Sequence, residues 1–354
     1  MQEKIYVSKN DNSVNNFTSV TEAIQSIPKD NQTPVTIYIA PGIYHEKITI
    51  DRSYVTLEGI GESNKDTILT YDDYAFFIME DGLKRGTFRS YSVFIDAHDV
   101  TLKNLTIENA SGDSLSHGQG IALYADGDRL VINSCNIIGH QDTLFTGPLP
   151  PKEIIKNGFI GPKQFAPRIH GRQYYTNCYI CGDVDFIFGS ATAYFENCTI
   201  ESLRHVPEGV TEIGKEIEID EESGQHIQGY ITAASTPEGE AYGYVFSECH
   251  LISNECPQET VYLGRPWRDY AKTVFIDCDM ADHIHPKLFH DWNKENARKN
   301  VLYGVYDSEL DSDTNSDADE AFSGRADFVK KLSSEEAGCL TKERVLSGSD
   351  GWLA

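Results

Sequence analysis

The chain has 354 residues, a net charge of −25 and 40% hydrophobic residues. That charge excludes nucleic acid and anionic membrane surfaces as electrostatic partners. No apolar run reaches the roughly 18 residues a membrane-crossing helix needs. The length exceeds one ordinary compact domain, but a chain that grows by stacking coils escapes that limit.

In chain order, the start "MQEKIYVSKND" has no apolar leader core. The expectation is a cytoplasmic protein, or a secreted one whose leader was removed. "SVTEAIQSI" (19–27) sets Ser19 and Glu22 at capping-box spacing, then Ala23, Ile24 and Ile27 on one helical face. This predicts a helix capping the open end of a solenoid. Residues 33–50 read as two strands around Pro41 and Gly42. Five later segments share one pattern: "NSCNI" (133–137), "TNCYI" (176–180), "ENCTI" (196–200), "SECHL" (247–251) and "IDCDM" (276–280). "KNLTI" (103–107) puts Leu105 in the cysteine column. Each reads as a short strand with alternate residues inward. The column spacings of 30, 43, 20, 51 and 29 residues fit coils of variable length. The fixed leucine period of leucine-rich repeats is missing.

The fold class is therefore all-β: a right-handed parallel β-helix with an N-terminal capping helix and a C-terminal helical tail. Five cysteines are expected to stack inside it, and all eight to be free thiols. Cys178 and Cys181 have C-x-x-C spacing, but in strand-like sequence that speaks for packing rather than redox or metal chemistry. One domain spans 1–354, with insertions at 147–170 and 205–228. An acidic loop (308–321) precedes the tail, placed at about 325–345. Asp126, Gly127, Asp128 and Arg129 read as a turn.

No G-x-S-x-G elbow, H-E-x-x-H motif or calcium loop occurs. What remains is carboxylates, amides and an arginine in apolar strand contexts: Gln119, Gln141, Asp142, Asp183, Asp185 and Arg265. Asp142 and Asp185 belong to neighbouring coils, where residues stack roughly 5 Å apart. Two carboxyl groups that close push their pKa values apart, which yields one nucleophile and one general acid. An arginine could fix the ionised member, and amides could donate to an oxyanion.

These residues resemble the pectin methylesterases (pectinesterases), carbohydrate esterases with a right-handed parallel β-helix. The resemblance rests on "GQGIALYADGDRLVINSCNIIGHQDTLFTG" (118–147), "GRQYYTNCYICGDVDFIFGSATAYFENCTI" (171–200) and "YLGRPWRDYAKTVFIDCDM" (262–280). Weaker matches extend it over nearly the whole chain: "VTLEGIGES" (55–63), "GYITAAST" (229–236) and "VLSGSDGW" (345–352). It implies hydrolysis of the C6 methyl ester of methylated homogalacturonan or oligogalacturonides, releasing methanol. Asp185 would be the nucleophile, Asp142 the acid and then the base, Gln141 and Gln119 the oxyanion donors. Arg265 would hold Asp185. Trp267 would pack on the sugar ring, and Phe145 and Phe186 would line the cleft. No metal or cofactor is implied, and a monomer is expected.

Two residues depart from the family pattern. His140 stands where an aromatic residue is common and reads as a supporting loop histidine. Asp183 stands where an uncharged residue is common. On an extended strand it shares a face with Asp185, and of two readings, a like charge beside the nucleophile or a side chain in solvent, the second is preferred. The 147–170 insertion resembles bacterial members. Competing readings are another pectin-acting β-helix enzyme, either a lyase or a glycosidic hydrolase, and a non-catalytic carbohydrate-binding solenoid. Charge and chain start together suggest an intracellular enzyme finishing short, imported, methylated oligogalacturonides.

Overall fold

The cysteine-column repeat is a corner. In each segment the residue before the column (Asn104, Ser134, Asn177, Asn197, Glu248 and Asp277) has φ between 48° and 53°. A single left-handed residue swings the chain from one sheet to the next, and Asn and Asp tolerate that conformation best. The Asn104 amide also donates to the carbonyls of Gly59 and Gly61.

The computed structural model describes residues 3–9, 16–210, 218–220, 222–308 and 323–354. Its strands form three sheets of twelve, eight and seven strands. Except at the two ends, sequence neighbours fall in different sheets, and each strand pairs in parallel with its counterparts one coil away. Leu130–Asn133, for example, lies between Val100–Lys103 and Arg172–Thr176. This is the expected parallel β-helix.

In-register parallel strands lie about 4.8 Å apart, so like residues stack through the interior. The thiols of Cys135, Cys178, Cys198, Cys249 and Cys278 each donate to the carbonyl two residues earlier, at 3.3–3.4 Å. Beside them Tyr175, Phe195, Phe246 and Phe275 form a ring stack with centroid spacings of 4.6, 4.4 and 4.5 Å. Strand spacing and ring-stacking distance coincide, so the column gains aromatic contact without bending the sheet.

The ends differ in detail from expectation. The capping helix is Val20–Gln25, and the Ser19 hydroxyl accepts from the Glu22 N–H. The carboxylate that completes the cap is Glu46, from a later coil, which accepts from the N–H groups of Val20 and Thr21. Residues 33–50 form three strands, not two, because Glu46 and Lys47 turn the chain before Ile48–Ile50. The tail is not wholly helical. Val329–Lys331 pairs with Leu302–Tyr306 as the last strand of the largest sheet, since Val329 there meets the same apolar column. Two short helices follow, Ser334–Gly338 and Lys342–Leu346. Most of the acidic loop lies outside the described residues.

All eight cysteines are free, and the five in the column are largely withdrawn from solvent. Thiol titration of freshly purified, denatured, unreduced protein is therefore expected to find eight; a count of six or fewer would contradict the free-thiol column.

Candidate active site

The seven-stranded sheet sets Leu144–Thr146, Val184–Gly189, Gly229–Ala234 and Val261–Gly264 side by side. The candidate residues sit along its outer face. Asp142 and Asp185 both have left-handed backbones, with φ of 64° and 52°. For a non-glycine residue this conformation costs roughly 1–3 kcal/mol and recurs at functional sites. It also breaks the in–out alternation of the strand. Phe186 and Ile187 both turn inward to the main core, whereas Asp185 and Phe188 face out. The register against the next strand shifts between Val184 and Ile187. The Asp142 N–H donates to the Val184 carbonyl at 3.1 Å, tying the two aspartate segments together.

Arg265 follows the strand Val261–Gly264. Its Nε and Nη2 donate to the two oxygens of Asp185, each at 2.8 Å. The guanidinium lies between two aromatic faces, 3.9 Å from the Tyr230 ring centre and 3.8 Å from that of Trp292. Burial opposes its charge, but the Asp185 carboxylate outweighs burial and keeps Arg265 firmly protonated. The effect on Asp142 is opposite. Burial first, and then the Asp185 charge, push its carboxyl well above the usual range; Arg265 works against this and Asp183 with it. One carboxyl is thus fixed by a fork of two hydrogen bonds from Arg265, and burial and that neighbouring charge bias the other toward its protonated form.

Both groups border an open cavity of about 420 Å³, also lined by Gln119, Gln141, Arg265 and Trp267. Five of the six polar residues singled out in the sequence meet there, and Asp183 does not. Two aromatic expectations fail. Phe186 is fully buried in the main core, on the strand face opposite Asp185. Phe145 faces outward but is fully covered by Phe88, Leu149 and Phe159. The aromatic wall is formed instead by Phe88, Phe159 and Phe188 beside Trp267. Trp292 and Lys294 also line the cavity and were missed in the sequence. A signal existed, since Trp292 is one of only three tryptophans and stands in a polar segment. The Lys294 ammonium donates to the Pro266 carbonyl at 2.6 Å, and burial, then Arg268 and Arg265, lower its pKa to about 8.

The two departures from the family pattern prove to be partners. Asp183 is not solvent-facing: it is 2% exposed. Its carboxylate accepts from the Ser114 hydroxyl at 2.6 Å, and His140 and His205 each approach it at 3.5 Å. Burial alone would lift this carboxyl, but the hydrogen bonds from His140, His205 and Ser114 outweigh it and hold the group well below the usual range. The same hydrogen bond raises the pKa of His140. The preferred solvent reading fails because Ser114, His140 and His205, from distant parts of the chain, supply the partners that solvent would have supplied.

A profile of the family described as Pectinesterase matches residues 4–148 and 168–346, leaving out most of the first insertion. Pectinesterase 31 of Arabidopsis thaliana is 31% identical over 81% of this chain and 77% of its own length. Probable pectinesterase/pectinesterase inhibitor 23 of the same plant is 28% identical over 95% of this chain, which spans only about half (51%) of that relative. Among solved structures, a pectin methylesterase in complex with hexasaccharide VII superposes with a TM-score of 0.72 at 26% identity, covering 100% of both chains.

The geometry makes the protonation of Asp142 measurable. An infrared difference spectrum between the wild type and Asp142→Asn at neutral pH is expected to contain a protonated-carboxyl stretch. Its absence would mean that Asp142 is ionised and would reverse the pairing of roles.

Proposed function

We infer the reaction from a plain premise: the chain belongs to the pectinesterase family. We propose that it hydrolyses the methyl ester at C6 of galacturonate residues in methylated homogalacturonan or its oligosaccharides, giving a carboxylate and methanol. The observation that carries this reading is the bidentate Arg265–Asp185 pair beside a buried Asp142 in one cavity, where burial and the Asp185 charge push the Asp142 carboxyl up. The pectin methylesterase holding a hexasaccharide supports an oligogalacturonate as the ligand.

In this reading an Asp185 oxygen attacks the ester carbonyl. Arg265 keeps the carboxylate aimed, which lowers the entropic cost of the attack. Negative charge builds on the carbonyl oxygen, where the Gln141 and Gln119 amides donate. Asp142 gives its proton to the departing methoxide and, now a carboxylate, takes a proton from the water that cleaves the acyl-enzyme. Trp267 offers an apolar face to the sugar ring. The lyase, glycosidic-hydrolase and binding-only alternatives give each of these groups less to do, and the product separates them: methanol here, new sugar ends from a lyase or glycosidase, neither from a binding module.

All the residues invoked come from one chain and one continuous core, so a monomer with a single domain suffices. The cytoplasmic expectation finds no support among the relatives. With plant pectinesterases as the comparison, the secreted alternative is the one we propose, which also removes the case for an intracellular finishing enzyme.

Three variants test the assignment in a methanol-release assay. Asp185→Asn is expected to fold and to lose activity by orders of magnitude; near-wild-type turnover, with deamidation excluded, would remove Asp185 as nucleophile. Gln141→Ala is expected to lower kcat by about 10²–10³ with little change in KM, whereas a pure KM effect would make it a sugar contact. Asp183→Asn removes a like charge near Asp142. It should lower the Asp142 pKa and move the alkaline limb of the kcat profile to lower pH; an upward shift would contradict the coupling.

A further inference from the structure

The arginine that aims Asp185 is itself held by two aromatic plates, and both plates lead to one carboxylate outside the site. Tyr230 forms one plate. Its hydroxyl donates to Oε2 of Glu218, a residue of the 205–228 insertion. Trp292 forms the other plate. Its backbone N–H donates to Nδ1 of His290 at 3.0 Å. Because that nitrogen accepts, the neutral ring carries its proton on Nε2, which lies 3.2 Å from Oε1 of Glu218. Each oxygen of Glu218 therefore ties down one side of the Arg265 sandwich, directly at Tyr230 and through His290 at Trp292.

The chemistry gives this a consequence for the reaction. A planar guanidinium between two rings can slide in the plane it shares with them, and cation–π attraction is tolerant of such movement. The bidentate bond to Asp185 is not, since both hydrogen bonds need the fork in register with the carboxylate. Fixing the rings fixes the fork. A carboxylate accepting from the Tyr230 hydroxyl also makes that ring more electron-rich and a better face for the cation. The insertion is thereby joined to the nucleophile through Glu218, Tyr230 or His290–Trp292, then Arg265, then Asp185.

We propose that Glu218 is a positioning residue for ester hydrolysis, by which the 205–228 insertion clamps the Arg265 sandwich and so aims Asp185. The proposal rests on Asp185 being the nucleophile. It makes the insertion a buttress rather than a wall of the substrate cleft. A clamp acts on the chemical step, so its loss lowers kcat and leaves KM nearly alone. It also acts only through its two links, so its loss has no further effect once those links are gone.

The experiment measures kcat and KM for methanol release from methylated oligogalacturonides in a variant series, with thermal unfolding as a check on folding. Glu218→Ala is expected to lower kcat by about 10- to 100-fold, the scale of a misplaced reacting group, with KM changed less than about twofold. Glu218→Gln can still accept from Tyr230, so it is expected to recover part of that loss. In a Tyr230→Phe/His290→Ala background, Glu218→Ala should lower kcat by less than about twofold. A raised KM with kcat unchanged would make the insertion a substrate wall and overturn the clamp. So would a Glu218→Ala effect that persists in full in the double-variant background. Asp185→Asn in the same assay separates the two levels. If it is inactive, those outcomes overturn the clamp alone; if it is fully active, the nucleophile assignment and the clamp fall together.

Discussion

The bidentate pair between Asp185 and Arg265 is the interaction on which the rest of the site depends. Both groups are largely withdrawn from water, so each would be costly alone, and removing one partner of such a pair typically costs roughly 3–5 kcal/mol. Together they leave a carboxylate that is fixed in direction and poorly solvated. That same charge lies close to Asp142 and helps keep its proton in place. One electrostatic arrangement thus sets the two carboxyls apart.

The fold supplies the pair at a local cost. Parallel stacking brings Leu144–Thr146, Val184–Gly189, Gly229–Ala234 and Val261–Gly264 to one face, but regular strands would point every second residue outward and bury the rest. The left-handed backbones of Asp142 and Asp185 depart from that rule. They turn both carboxyls to the cavity and send Phe186 and Ile187 to the core. The two segments are tied by the bond from the Asp142 N–H to the Val184 carbonyl, and His140 and Asp183, which precede the two aspartates, meet in a cluster with His205 and Ser114.

Much of this was legible in the sequence. The cysteine column gave the coil repeat; the left-handed corner before it, which makes the repeat close, was not read from the sequence. The five polar residues that meet in the cavity stood out as charges and amides in apolar strands. What escaped was whatever depended on local backbone hand or on contacts between distant coils. Phe186 was assigned to the cleft by resemblance, although alternation from an outward Asp185 points it inward, where it lies; Asp183 was assigned to solvent because nothing in the sequence shows Ser114, His140 and His205 closing around it. Phe145 was assigned to the cleft because nothing in the sequence shows that the 147–170 insertion folds over it. Trp292, Lys294 and Glu218 reach the site from loops, where no periodicity announces a direction. His140 and Asp183 each looked anomalous alone; their meaning lies in their being partners, 43 residues apart.

The claim that Asp185 is the nucleophile is open to one direct measurement. A galacturonate ester with an activated leaving group, such as 4-nitrophenyl, needs no proton from Asp142 to depart, whereas cleavage of the acyl-enzyme still needs Asp142 as base. Mixing this ester with Asp142→Asn should release one nitrophenol per enzyme in a burst. Mass spectrometry of the quenched protein should then find the galacturonyl adduct on Asp185. A burst that survives Asp185→Asn, or an adduct on any other carboxyl, would contradict the account.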